Sequence, residues 1–574
     1  MFSDQSRAAA ASFNPVPRRS SIFSLDRVGL SFTTLIGTST DARLARGSLD
    51  SQSAASAYSI NSQSQLSERS LAADTIQRSG SLGGKHILRG TSVNKVMRCF
   101  GRQFASSSGS RESWMLSKQV DTIDVFISHN WSLRRSLKFL MCCMHFNFWP
   151  IIVTFFAGIL CVMSFVAAGL LPHVDAHSQY CTHASVILIF VPLLFSHELA
   201  LVFGIGGPAV FLDKTCINQE NPELKAKGIS ALGAFLKHSR GMVVLYSDVY
   251  LYKLWTVYEL AALSLLNPYA KLHVISPIFP IFIIISTLVA TLISSIDINY
   301  ELVGGGNPAL EIVAAVLALI TFPGFSYLWA RRRSRVYEDI ARFDVRRVQC
   351  HDESDRSYVQ LQIHSLMLAT GMIQEETGHE EAMEAFNELV KVEVPEALSC
   401  NWGRVGISYG YLLMLNFPLI ANRADVFALK IGRGYYDSEL SLLIDFIYNV
   451  GVCFAPVVWT GLSFVFGKAA EFAQAGLYVR AWLCRLSILG CFFLVDRFER
   501  DLRSGTRRTD GITLVGAVLS CTLRIALTVI MNRPRHRQDH GYRERMECLK
   551  TTMMLASSMS ESEASYPEED TEIV

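Results

Sequence analysis

The chain has 574 residues, of which 50% are hydrophobic and only 18% charged, with a mean hydropathy of +0.27 and a net charge of +2. Average soluble domains carry about 25% charged residues, so this balance points to an integral membrane protein. The thirteen cysteines are scattered and no CxxC pair occurs, which argues against a disulfide framework or a zinc module. No nucleic-acid partner is expected.

In chain order, residues 1–118 come first. They hold 26 serines and no sustained periodicity, and up to position 120 there are 15 Lys/Arg against 7 Asp/Glu. Such a stretch buries too little apolar surface to offset its ordering entropy, so a basic, disordered cytosolic tail is expected. RRSS (Arg18 to Ser21) and RSGS (Arg78 to Ser81) place serines beside arginines, as basophilic kinases prefer. The segment MFSDQSRAAAASF has no apolar stretch, so no cleaved signal peptide is expected and the first span serves as its own insertion signal.

Residues 148–171 then run for 24 positions without a charge, enough to cross a ~30 Å hydrocarbon core. Residues 184–203 are similar, though His197 and Glu198 lie among them. Charged groups inside a span are costly unless they pair or line water, so these two invite a transport or proton role, or a packed helix that satisfies them. Residues 148–206 therefore read as a transmembrane hairpin, and 274–330 as a second pair of spans. The connectors 172–183 and 297–308 contain no Lys or Arg, whereas RRSLK (Arg134 to Lys138) and RRRSR (Arg331 to Arg335) are basic. The positive-inside rule then puts the N-terminus and everything between the pairs in the cytosol. Cys142 and Cys143 abut the first span as lipidated cysteines often do. HVDAHSQYCTH packs His173, Asp175, His177, Cys181 and His183 into a short external loop. It reads as a polar turn, with Zn or Cu coordination or pH sensing as the alternative. Beyond 330, residues 331–404 are expected to be a cytosolic helical linker. Residues 405–531 form a C-terminal membrane region of three or four spans, and 532–574 a polar, acidic tail.

Between the membrane pairs lie the signs of an α/β unit. IDVFIS (Ile123 to Ser128), AVFLDK (Ala209 to Lys214), MVVLYS (Met242 to Ser247) and LHVIS (Leu272 to Ser276) are short apolar runs of the kind buried parallel strands require. Helical patterns at Leu224 to His238 and Tyr250 to Leu266 alternate with them. Strands alternating with helices predict a parallel sheet with its ligands beyond the strands' C-terminal ends. Ser128, His129, Asn130, Asp213, Lys214 and Ser247 are the polar residues there. The fold class expected is thus a multi-span α-helical membrane protein with an α/β, flavodoxin-like cytosolic domain of short parallel strands. That domain is split into 119–147 and 207–276.

DVFIS at Asp124 to Ser128 is similar to the opening strand of TIR (Toll/interleukin-1 receptor) domains. LYSDVYLYKLWTVYEL, Leu245 to Leu260, resembles their third strand and following helix, where TIR proteins carry an S…Y…W-C-x-x-E-L pattern. FLDKTCINQ with the downstream Lys225 to Ile229 looks like a divergent TIR-like group common in protist and algal membrane proteins. The resemblance covers under a quarter of the chain. It implies a signalling protein that self-associates through this domain, as a homo-oligomer in the plane of the bilayer. In enzymatic TIR domains the matching glutamate cleaves the nicotinamide–ribose bond of NAD, which makes Glu259 the catalytic candidate. Trp255, four residues earlier, together with His129, Asn130 and Lys214, are the candidates for holding the substrate. NAD would be a substrate, and no cofactor or metal is required. Two alternatives stay open: TIR-type association without catalysis, and an ion channel or transporter for which the TIR-like segment is a regulatory cap.

Overall fold

The computed structural model describes residues 88–432 apart from 172–178, 304–307, 351–352, 354 and 403–408, with scattered positions between 439 and 526 and a last stretch at 546–551. The tail up to residue 87, the His173 and His177 loop, most of the apolar stretches at 441–466, 474–495 and 511–531, and the acidic terminus lie outside the described residues.

The chain enters at β1 (Arg89–Ser92), runs through α1 (Val93–Gly101) and α2 (Arg111–Met115) into β2 (Ser117–Gln119), and reaches β3 (Val125–His129). Next, α3 (Arg135–Phe146) leads to two long apolar helices, α4 (Phe148–Ala167) and α5 (Tyr180–Val202). The chain returns to the sheet as β4 (Ala209–Phe211), then makes α6 (Asp213–Cys216), α7 (Pro222–Ser230), α8 (Leu232–Lys237), β5 (Gly241–Leu245), α9 (Leu254–Leu266) and β6 (Lys271–Ile275). Six further helices follow: α10 (Ile278–Val303), α11 (Pro308–Ala341), α12 (Asp355–Ala369), α13 (His379–Trp402), α14 (Tyr409–Leu415) and α15 (Phe417–Gly432).

All six strands join one mixed sheet, ordered β2-β1-β4-β3-β5-β6. The four expected strands are parallel to one another, with Phe126 opposite both Phe211 and Met242. β5 is apolar along its length with every residue buried, and β3 is buried from Phe126 onward with polar residues only at its C-terminal end. Phe126 stacks on Phe211 at 4.4 Å between centroids, and Phe211 meets Phe235 of α8 at 4.6 Å. These rings fill the space between the sheet and its helices.

Two corrections concern the sheet. It is mixed, not purely parallel, and the strands that make it so, β1 and all but the last residue of β2, come from the stretch 1–118 that the sequence assigns to a disordered tail. β1 pairs antiparallel with β4 (Thr91 with Val210) and β2 pairs antiparallel with β1. The hydroxyl of Thr91 donates to that of Thr215 at 2.8 Å, tying the added strand to α6. Left uncovered, β4 would present a row of unpaired backbone groups, and β1 satisfies them.

Two of the described helices are long and apolar enough to cross a membrane, Phe148–Val166 and Tyr180–Val202. They pair as a hairpin inserted in the connection from β3 to β4. Gly158 faces Leu188 so closely that a Cβ there would lie 2.4 Å from a Leu188 methyl, which lets the two backbones approach. Pro192 inside α5 withdraws the N–H that would bond the Leu188 carbonyl, and the Thr154 hydroxyl stands 3.3 Å from that oxygen. At the sheet end, Asn147 donates to the Leu193 carbonyl at 2.7 Å. α15 packs on both hairpin helices, with Phe417 stacked on Phe155 at 4.0 Å.

The stretch 331–404 is more than a linker. α11 continues past residue 330 to Ala341, and α12 and α13 lie against α9, with α13 also meeting the edge strand β6. Gln349 clips this segment to the sheet unit. Its N–H donates to the Tyr252 carbonyl at 2.9 Å, and its carbonyl accepts from the Leu254 N–H at 3.1 Å.

Candidate functional site

The order of the parallel strands places β4 on one side of β3 and β5 on the other, so the connections leave β3 in opposite directions. A crevice opens at the C-terminal ends of strands where this happens. β3 ends there in Ser128, His129 and Asn130, β4 leads into Asp213 and Lys214, and β5 into Ser247.

Glu259 reaches this place from the second turn of α9. Its Oε2 accepts a hydrogen bond of 2.6 Å from the Ser128 hydroxyl, which itself lies 2.6 Å from the hydroxyl of Tyr250. Ser128 donates its one proton to Glu259, and the Tyr250 hydroxyl then faces two acceptors, Ser128 Oγ at 2.6 Å and the Thr256 carbonyl at 3.2 Å. Tyr250 is fully buried, and burial holds its phenol well above the ordinary tyrosine range, so it stays a donor. Burial likewise pushes Glu259 up from 4.5 to about 8. The Ser128 bond opposes that rise and the negative charge of Asp213 adds to it.

Three buried polar atoms around the strand ends have no hydrogen-bond partner within the protein: His129 Nε2, Asn130 Nδ2 and Ser247 Oγ. Burying such groups unpaired costs about 1–3 kcal/mol each, so their occurrence together at the strand ends marks a candidate ligand site. The His129 ring is wedged edge-on between Trp131 (4.5 Å) and Phe104 (5.8 Å), and burial lowers it to about 4, leaving it neutral. Trp131 is fixed in turn. Its indole N–H donates to Asp213 at 2.8 Å, and the Lys138 ammonium stands 4.4 Å above its ring. Lys138 itself is completely buried and is lowered to about 8 by that burial.

The chain matches no protein-family model, no curated protein and no solved structure. The site therefore stands on its own residues.

Of the five residues the sequence singles out for the site, Glu259, His129 and Asn130 are set at the strand ends as described. Lys214 and Trp255 are committed elsewhere. The Lys214 ammonium donates to the Ser106 carbonyl at 3.1 Å, and the Trp255 indole donates to Asp355 of α12 at 3.2 Å. Spacing on one helix could not reveal Asp355, which lies 100 residues away. The Ser128–Tyr250 relay and Lys138 are additions. Tyr250 is the tyrosine of the S…Y…W run, whereas Lys138 reads in the sequence only as the last residue of the basic cluster Arg134 to Lys138.

The remaining sequence candidates fare differently. Cys142 and Cys143 are fully buried, and burial raises both thiols, so neither is placed for lipidation. Among the described residues no group of three metal-capable side chains occurs. Cys181 and Thr182 donate their backbone N–H groups to Asp425, and His183 Nδ1 lies 2.7 Å from the Gln179 carbonyl. Glu198 accepts the Cys99 N–H, and His197 is packed beside Asn147 and Phe139.

Proposed function

We propose that this chain is a membrane-anchored, TIR-like signalling protein that self-associates in the plane of the bilayer and cleaves NAD at Glu259. The observation that carries the reading is the Glu259 carboxyl held by Ser128 at the divergence of β4 and β5 from β3, where the strand ends also carry three unpaired buried polar atoms. The strand order β4-β3-β5-β6 is that of a flavodoxin-like unit, the layout TIR domains share, and W-T-V-Y-E-L (Trp255 to Leu260) sets the glutamate where the resemblance requires it. The apolar pairs 148–203 and 274–330 would serve as anchors, with the sheet unit on the cytosolic side by the distribution of Lys and Arg.

The chemistry suits a lone carboxylate. The bond from ribose C1′ to the nicotinamide nitrogen breaks, its electron pair stays with nicotinamide, and the positive ring becomes neutral. The oxocarbenium ribose left behind is stabilised by the Glu259 carboxylate. Water then adds at C1′ and loses a proton, giving ADP-ribose. Bringing the cationic nicotinamide ring beside Glu259 favours its charged form, so substrate counteracts the burial that holds the empty site near pH 8. His129 Nε2, Asn130 Nδ2 and Ser247 Oγ would meet ribose and amide groups. The channel alternative draws on Glu198, but that carboxylate is already taken by the Cys99 N–H.

The full chain, clustered on liposomes and incubated with NAD, should release nicotinamide, and Glu259→Ala should fall to background. Equal background from both ends the enzymatic reading. Release that is equally fast from dispersed protein removes the role given to self-association.

Ser128→Ala tests the relay separately. Losing the hydroxyl that donates to the carboxylate raises the Glu259 pKa further. kcat/KM for NAD, which should climb as pH rises through about 8 in the native protein, is expected to climb at a higher pH in the variant. An unshifted limb means that Ser128 does not act on the catalytic group.

A further inference from the structure

Where α1 ends, three consecutive residues turn left-handed: Cys99 (φ 53°), Phe100 (φ 56°) and Gly101 (φ 66°). For the two residues that carry a Cβ this costs about 1–3 kcal/mol each and persists only if the surroundings enforce it. They do. The Arg135 guanidinium donates to the Cys99 and Phe100 carbonyls at 2.7 and 2.9 Å, and Glu198 of α5 takes the Cys99 N–H. This scaffold presents the Phe100 ring, which is 52% exposed although its edge meets Phe139 and Phe195.

Phe100 does not stand alone. Phe195, Phe203 and Ile205, at the sheet end of α5 and just beyond it, are also exposed, so apolar side chains extend from the hairpin to the loop on both sides of the Glu198 carboxylate, which the Cys99 N–H occupies. Three exposed cations frame it: Arg98 and Arg102 on either side of the left-handed turn, and Arg134 next to the arginine that holds it. Among the described residues none of the three forms an ion pair. An apolar wedge continuous with two helices made for hydrocarbon, bordered by unpaired arginines, has the complement of a bilayer edge: acyl chains inward, phosphates around them.

The geometry points to the Arg98–Arg102 loop as a binding site for the headgroup of an anionic phospholipid, with Phe100 inserted among the acyl chains beside α5. This rests on the reading of α4 and α5 as a membrane hairpin. It also has a line to the site, because two residues past the turn and its flanking Arg102, Phe104 packs edge-on against His129.

The test uses the full chain reconstituted in vesicles of phosphatidylcholine and phosphatidylserine, extracted in mild detergent, with the retained lipid counted by native mass spectrometry. Phosphatidylserine should be retained in preference to phosphatidylcholine. Retention should fall about 5-fold for each of Arg98→Gln, Arg102→Gln and Arg134→Gln, as expected for one cation at an anionic surface. Phe100→Gly keeps the left-handed backbone at lower cost and removes only the ring, so it should weaken retention without lowering the melting temperature. Equal retention of the two lipids, or a triple glutamine variant that retains phosphatidylserine as well as the native chain, overturns the inference. Alkaline carbonate extraction separates the two claims. A chain that stays in the pellet yet shows no lipid preference loses this site and keeps its anchor, and a chain that is released loses both.

Discussion

Glu259→Gln is expected to lower nicotinamide release by about 10²–10³-fold while making the protein more stable at alkaline pH. The first half follows from electrostatics: an amide fills the same space and takes the Ser128 hydrogen bond, but it carries no negative charge for the developing oxocarbenium ion. The second half follows from linkage. Glu259 titrates near 8 in the folded chain against 4.5 when exposed, so between those values the folded state binds the extra proton. Its contribution to stability is therefore fully present below about pH 4.5 and is lost as pH rises through about 8. Each pKa unit corresponds to about 1.4 kcal/mol, so above pH 8 the native carboxylate costs up to a few kcal/mol that glutamine does not incur. Melting curves of the two proteins should nearly coincide at pH 4.5 and separate at pH 9, with the glutamine variant melting higher. A variant that is both inactive and less stable at pH 9 would show that Glu259 is a structural residue and not a strained functional one.

Phe126→Ala is expected to cost about 3–5 kcal/mol, the usual price of emptying a buried phenylalanine site. Phe126 is fully buried in the central strand and stacks on Phe211, which leans in turn on Phe235, so the cavity would open where three elements meet. Set against a typical domain stability of about 5–15 kcal/mol, that is a large share, and the sheet unit should become sensitive to limited proteolysis at physiological temperature. Phe126→Leu should recover most of the loss. Melting of the alanine variant within a degree or two of the native chain would contradict the placement of this ring at the centre of the core.

The sequence makes β3, β4 and β5 legible because each is a short apolar run, and the edge strand β6 because Val274 and Ile275 follow a helical pattern. β1 left no such trace. Arg89–Ser92 is four residues long and reads RGTS, and it is a strand only because the edge of β4 offers it partners. The strand-end residues were legible from the alternation of strands and helices, whereas Glu259 was singled out only by the resemblance of Leu245 to Leu260 to the TIR pattern. Their real surroundings were not legible, since Ser128 and Glu259 lie 131 residues apart and Trp255 finds its partner 100 residues away. The apolar stretch Leu140 to Met144 looked like the approach to a span, yet Cys142 and Cys143 turn inward onto the sheet unit. A run of uniformly apolar residues does not say which face meets lipid and which meets protein.

The hairpin's position within the β3–β4 connection also sets the order in which the chain can assemble. β1 is made first, but its partner β4 appears only after 116 further residues that include both long apolar helices. Closing so large a loop is entropically slow, and it is only productive once the second helix has brought the chain back to the end where the first began. Completion of the sheet is thus a readout of hairpin folding. A chain whose two helices fail to pair would carry an open edge at β4 and no finished crevice.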